Sequence, residues 1–461
     1  MTTTSSVVTA RSGTVREVVS FSAPLVVSNL SQSVMWIVDT AILGRVGTVE
    51  QGAAGLGGVL WWAMLCFFTG TMTVVNILVA QDHGAGRKDL SRHVNAGVAL
   101  ILPMCLAIAP LWFAVPHALG WMGASAEVRP FATIYLQIRL LSSPFTLGTF
   151  VLASFLRGLG DTVTPMIASV IANVSNALLA VVLVFGLAGL PRLGVEGAAI
   201  ATAIAGAIEC SYCVVIYLCG RRAIQAGSRS WSSPGLWQLR RFLTLGAPIG
   251  LSWMFEMVGW TAFAAYAATR APAELAAHTV LFQVTSFCFM PAAALGVTAS
   301  TLVGQYLGAR RPDLASRSAW LSIGIGVGYM TIVGIAIALF RTPLVRAFNP
   351  DPAVVALGSA IGLLAGAYQP FDGFGIVAQS VIRGSGRTST PTYVMLGSGF
   401  FVFLPLVWVL GEGAHLGVRG AWGAAVVHVT VVALVIGVFV LRGKWRDAPV
   451  LIGADRTPRP V

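Results

Sequence analysis

Four carboxylates, Asp39, Glu209, Glu256 and Asp372, sit inside stretches of the chain that are otherwise apolar. An acid at bilayer depth costs about 3 kcal/mol or more, so it persists where a cavity, a partner or a proton relieves it. Tyr368 and Asp372 are four residues apart and share one face of a helix. With Glu256 they make two acids and an aromatic ring, a set that suits a monovalent cation through carboxylate coordination and the ring quadrupole. Gln32, Met35, Trp36 and Asp39 recur at helical spacing and line one face of an earlier segment. An acid stripped of water on that face is a candidate for cation or proton exchange. Asn173 and Asn176 lie three apart, and Thr202 follows on a later segment; oxygen-bearing side chains suit a hard cation such as sodium. Pro24, which cannot donate to the helical ladder, marks an expected bend upstream of Asp39.

The elements that position these residues are membrane spans. Of 461 residues, 56% are hydrophobic and 10% charged, where a soluble protein carries about a quarter charged. Twelve apolar runs long enough to cross a bilayer fall near 18–43, 53–80, 92–115, 131–156, 165–188, 196–219, 243–267, 275–304, 317–340, 355–381, 391–410 and 419–441. With both termini inside, 21 of the 29 Lys and Arg lie in the tails and the loops after even-numbered spans. That bias is the positive-inside rule, so the net charge of +12 is a topology signal for cytoplasmic termini and not a nucleic-acid footprint. All six cysteines fall in apolar spans, which excludes a disulfide framework, and the polar N-terminus reads as no cleavable signal. No GxxxxGK[ST], DDxxD or HExxH pattern occurs, so neither ATP hydrolysis nor another enzymatic activity is expected.

A long-period duplication organises the chain. Ala23-Pro24 recurs as Ala247-Pro248, and Gln81-x-x-Gly84-Ala85 as Gln305-x-x-Gly308-Ala309, both at an offset of 224. The segment from Arg157 to Pro165 returns from Arg383 to Pro391 at 226, and Gly194-Val195 returns as Gly417-Val418 at 223. Matches in one order with slowly drifting offsets indicate an internal repeat. The expected domains are an N-terminal half over 1–225, a cytoplasmic linker over 226–241 and a C-terminal half over 242–461. Six spans per half give parallel repeats, a recognised plan for transporters that alternate access around a central substrate. The acids break the symmetry: Gln32, Ser142 and Thr146 stand at the mirror positions of Glu256, Tyr368 and Asp372.

The order of these motifs resembles a family. Asp39 within VDTAILGRVG, the QxxGA turn after the second span, RGLGDTVTP before the fifth, AAHTVLFQ opening the eighth and the segment Tyr368 to Asp372 together resemble the multidrug and toxic compound extrusion (MATE) transporters, NorM-like branch. The resemblance runs from about Val15 to Leu441. It implies an all-α polytopic membrane protein of twelve transmembrane helices, in two six-helix bundles related by a pseudo-twofold axis along the membrane normal. It further implies secondary active efflux of organic, cationic and amphipathic compounds in exchange for sodium ions or protons, with no other cofactor. Asp39 matches the family's first-span aspartate, Asn176 and Thr202 match its N-half polar site, and Glu256, Tyr368 and Asp372 match positions proposed to bind sodium. Ala180 departs from the pattern, standing where many relatives carry an aspartate. A multi-pass monomer in the cell membrane, partnered by the lipid bilayer, the coupling ion and a small organic substrate, is expected. A lipid-linked precursor flippase of the wider superfamily is the alternative; it calls for a basic cavity, and Arg139 is nearly alone among buried bases in the spans.

Overall fold

The computed structural model describes residues 13–447 other than 122, 124 and 188. The described chain is helical throughout. The N-terminal part runs α1 (Val15–Gly44), α2 (Thr48–Met72), α3 (Val74–Gly84), α4 (Ser91–Trp121), α5 (Val128–Leu141), α6 (Ser143–Gly158), α7 (Val163–Phe185), α8 (Gly194–Cys219) and the short α9 (Arg221–Gln225). The C-terminal part runs α10 (Leu236–Ala268), α11 (Pro272–Gly308), α12 (Pro312–Phe348), α13 (Pro352–Gly384), α14 (Ser389–Ser398), α15 (Leu404–Trp408) and α16 (Gly417–Leu441). Wider π turns at Gly399–Phe403 and Val409–Gly413 join α14 and α15 into one crossing, Ser389–Gly413.

Among the described residues, eleven helices or joined helices are long and apolar enough to cross a bilayer, and the bent pair α5 and α6, taken as one span, makes a twelfth. The span expected over 131–156 as one helix is thus broken, with a 47° bend at Ser142. The local chemistry accounts for the break. Pro144 has no N–H for the carbonyl of Leu140, and the Ser143 hydroxyl donates to that carbonyl at 2.6 Å instead. Ser142 does the same one residue earlier, donating to Arg139 O at 2.8 Å. Pro24, by contrast, lies inside a continuous α1.

Two compact units form, and neither is continuous in sequence. The first combines residues 13–26, Ala80–Gly86 and the described chain from Leu251 onward. In it α11, α12 and α13 pack on one another, and α16 packs on α13. One core joins Val18, Phe21 and Leu25 to Leu302, Tyr306, Ile323, Val381, Ile436 and Trp445. A second surrounds Phe263, Leu281, Ile361, Tyr368 and Trp422. The two QxxGA turns meet within this unit. A Cβ on Gly84 would strike the backbone carbonyl of Gln305, and one on Gly308 would strike that of Gln81. Only glycine permits so close an approach of two backbones.

The second unit comprises Val27–Val79 and Arg87–Gly250. Here α7 packs on α8, α2 on α5, and both α5 and α6 on α8. Its core gathers Ile42, Leu43, Tyr135, Ala180, Val184, Ala198 and Ala199. The segment between α9 and α10 is pinned to the start of α4. Leu90 N donates to Ala226 O at 3.0 Å, and Asn95 Nδ2 donates to Ser230 O at 3.3 Å.

Candidate functional site

The first unit brings Glu256, Tyr368 and Asp372 into one neighbourhood. Glu256 comes from α10, and the other two come from successive turns of α13. Asp372 lies within electrostatic reach of both Glu256 and the Tyr368 ring. Tyr368 is 4% exposed, its ring 6.3 Å from that of Trp422, with the Thr285 hydroxyl at its phenol. Two partly buried carboxylates near each other repel, and a single cation or proton between them removes the repulsion. Arg383, at the last turn of α13, lies within electrostatic reach of Glu256. Its sequence signal was the RGSGRTSTP motif, which marks a repeat and says nothing of an acid on α10.

The second unit assembles the other predicted residues. Asn176 of α7 donates from Nδ2 to Thr202 Oγ1 of α8 at 3.0 Å, and Thr202 donates in turn to Ala198 O at 2.9 Å. The Thr202 side chain faces Asp39 of α1. Asp39 Oδ1 and Asn176 Oδ1 are both buried without a hydrogen-bond partner. Buried acceptors lacking protein donors are uncommon, and a water, a cation or a proton satisfies them. Ala180, one turn beyond Asn176, is 1% exposed and packs with Ile42, Leu43, Val184 and Ala198. An apolar core therefore fills the place of a second carboxylate. Asn173, one turn before Asn176 on α7, donates from its amide to the Ser31 hydroxyl and ties α7 to α1.

Residues without an assigned motif also find places. Arg139 lies within electrostatic reach of Asp39, in the same unit. Glu209 of α8 lies within reach of Arg157 on α6. His278 is buried in an aromatic nest, 4.5 Å from the Phe263 ring and 6.0 Å from that of Trp422. Gln369, beside Tyr368, is fully buried with neither end of its amide partnered. Nothing in the sequence distinguished it, since a lone Gln in an apolar run carries no periodic signal. Among the described residues no group of three or more His, Cys, Asp or Glu could hold a metal ion.

A multi-span helical bundle with asymmetric acids among its helices defines the class, a membrane transporter. The MatE family profile matches residues 24–182 and 248–409, and the chain belongs to that family, whose members are transporters and not enzymes. A probable multidrug resistance protein NorM of Thermotoga maritima is 26% identical, the match covering 95% of this chain and 94% of that protein. Its counterpart in Mesorhizobium japonicum is 30% identical, with 88% of each chain covered. Among solved structures, an outward-facing multidrug resistance MATE family transporter superposes with a TM-score of 0.86 at 19% identity, covering 94% of this chain and 97% of that one.

Proposed function

We propose that the protein is a multidrug efflux antiporter, exporting organic, cationic and amphipathic compounds in exchange for sodium ions or protons. The observation that carries this reading is the convergence of Glu256, Tyr368 and Asp372 in one neighbourhood of a chain whose relatives are named multidrug resistance proteins. In the absence of an ion the two acids repel. A cation binds between them and stabilises whichever conformation holds them together. Differential affinity of two conformations for the ion then drives the exchange of access. The Asp39, Asn176 and Thr202 group is a second coupling position, and with one carboxylate it holds a metal cation less firmly than a two-acid site would.

The test is ethidium efflux from proteoliposomes under a sodium gradient and, separately, a pH gradient. Efflux driven by sodium alone supports the Glu256, Tyr368 and Asp372 site as the coupling centre. Drive by protons alone shifts the weight to Asp39. Correctly inserted protein that exports nothing under either gradient refutes multidrug antiport and favours the flippase.

A further inference from the structure

The segment between α8 and α10 is a built platform with one chemical character. Between Glu209 and Glu256 the chain carries five arginines, Arg221, Arg222, Arg229, Arg240 and Arg241, and no acid. Trp231, Leu236 and Trp237 are set among them. The segment leaves one span at Cys219 and enters the next at Leu236, so it lies where the bilayer's apolar core ends.

Its small residues turn inwards, and the start of α4 fixes its backbone. Ala223, Ala226 and Ser228 are buried. Leu90 N donates to Ala226 O at 3.0 Å, and the Ser91 hydroxyl donates to Ser230 O at 3.1 Å. Asn95 Nδ2 donates to both Ser230 O and Ser232 O at 3.3 Å. At Gly227 φ is +84°, and a Cβ there would fall 2.8 Å from Lys88 O, so only glycine closes this turn.

Charge and exposed aromatic surface face outwards together. Arg221, Arg222, Arg229 and Arg240 are exposed, and among the described residues none has a carboxylate within 4.0 Å. Asp89, in the turn before α4, instead accepts from the Ser91 hydroxyl at 2.9 Å. Trp231 is 68% exposed and Leu236 82%, and the Arg241 guanidinium carbon lies 5.2 Å from the Trp237 ring centroid. A guanidinium fork fits a phosphate, and an indole is at its most stable at headgroup depth. Acidic protein or nucleic acid would answer the arginines but would leave Trp231 and Leu236 without an apolar partner. An anionic lipid supplies both chemistries at this depth.

We infer that residues 221–241 form a docking surface for anionic phospholipid headgroups. The arginines take the phosphates, while Trp231 and Leu236 seat in the glycerol and upper acyl region. By the positive-inside bias the leaflet is the cytoplasmic one. Anionic lipid thereby holds the join between the two repeats at headgroup level. The surface is independent of the coupling ion and of the exported compound.

The experiment titrates purified full-length protein with phosphatidylglycerol or phosphatidylcholine of the same acyl chains, and native mass spectrometry reads the bound lipid. Attraction to an anionic headgroup surface is worth about fivefold in affinity for each arginine near it. Arg221→Gln, Arg222→Gln and Arg240→Gln combined should weaken phosphatidylglycerol by about 10- to 100-fold and phosphatidylcholine by less than about twofold. Arg310→Gln, Arg387→Gln and Lys444→Gln combined remove the same charge from exposed positions in the other unit. That control should weaken phosphatidylglycerol by less than about threefold. Equal losses from the two triple variants would make the attraction an effect of net charge and overturn the surface. Equal affinity of wild type for the two lipids, or full competition by free glycerol phosphate at the same concentration, would overturn it too. Should the first triple variant fail to fold, Arg222→Gln and Arg240→Gln singly should each cost about fivefold, and no loss from either refutes the assignment.

Discussion

The hydrogen bond from Asn176 to Thr202 permits an asymmetric prediction. Thr202→Val keeps the shape and deletes the hydroxyl. The Asn176 amide is fully buried, donates to that hydroxyl at 3.0 Å, and already has an unpartnered Oδ1. The substitution therefore orphans the Asn176 side chain at both ends. Asn176→Leu does the reverse: Thr202 retains its own bond to Ala198 O at 2.9 Å, so no buried group is left worse than before. A buried orphaned donor costs about 1–3 kcal/mol. Inter-helix hydrogen bonds in membranes average about 0.6 kcal/mol with a ceiling near about 1.7, because the unfolded chain finds other partners. Thr202→Val should then lose about 0.6–1.7 kcal/mol, Asn176→Leu less, and the double variant no more than Asn176→Leu. Reversible unfolding in mixed micelles measures all three. Additive losses, or a larger loss for Asn176→Leu, would refute the reasoning. The same variants report on function: each removes an oxygen near Asp39 and should raise the ion concentration needed for half-maximal efflux. Unchanged ion dependence in both would make the pair a structural tie only.

Four other outcomes are expected. Asp372→Asn should abolish ion-coupled efflux while membrane abundance, read by quantitative blotting, stays at the wild-type level; normal transport removes Asp372 from the mechanism. Glu256→Gln should weaken ion dependence, and combined with Asp372→Asn it should add little, since two carboxylates that share one ion act as a unit. Trp422→Ala empties the centre of the nest formed with Phe263, His278 and Tyr368 and should destabilise the protein by about 3–5 kcal/mol, seen as a lowered unfolding midpoint. Gly308→Val has no room beside the Gln81 carbonyl, and expression as folded, monodisperse protein should fall sharply, with Gly308→Ala less damaging.

Much of the architecture was legible in one dimension because hydropathy and duplication are properties of the chain itself. Apolar runs of about twenty residues locate helices whatever they pack against, and an offset of 224 between Gly84 and Gly308 is visible without any fold. The candidate residues Asp39, Glu256, Tyr368 and Asp372 stood out for the same reason, as charge or ring where apolarity is the rule. The i,i+4 relation of Tyr368 to Asp372 needed only helical geometry.

What lay beyond the sequence was every relation between helices. The bend at Ser142 depends on side-chain hydroxyls competing with the backbone beside Pro144, where hydropathy alone reads one continuous span. That Ala180 sits in an apolar core, that Arg139 rests on Trp61 near Asp39, and that Arg383 reaches towards Glu256 follow from which faces the helices turn to one another. The exchange of Ala80–Gly86 into the unit built mainly from the C-terminal half is equally a packing result. Local pattern decides which residues are unusual. Only the tertiary structure decides which unusual residues meet, because electrostatic and hydrogen-bonding partners are chosen across helices separated by tens to hundreds of positions in the chain.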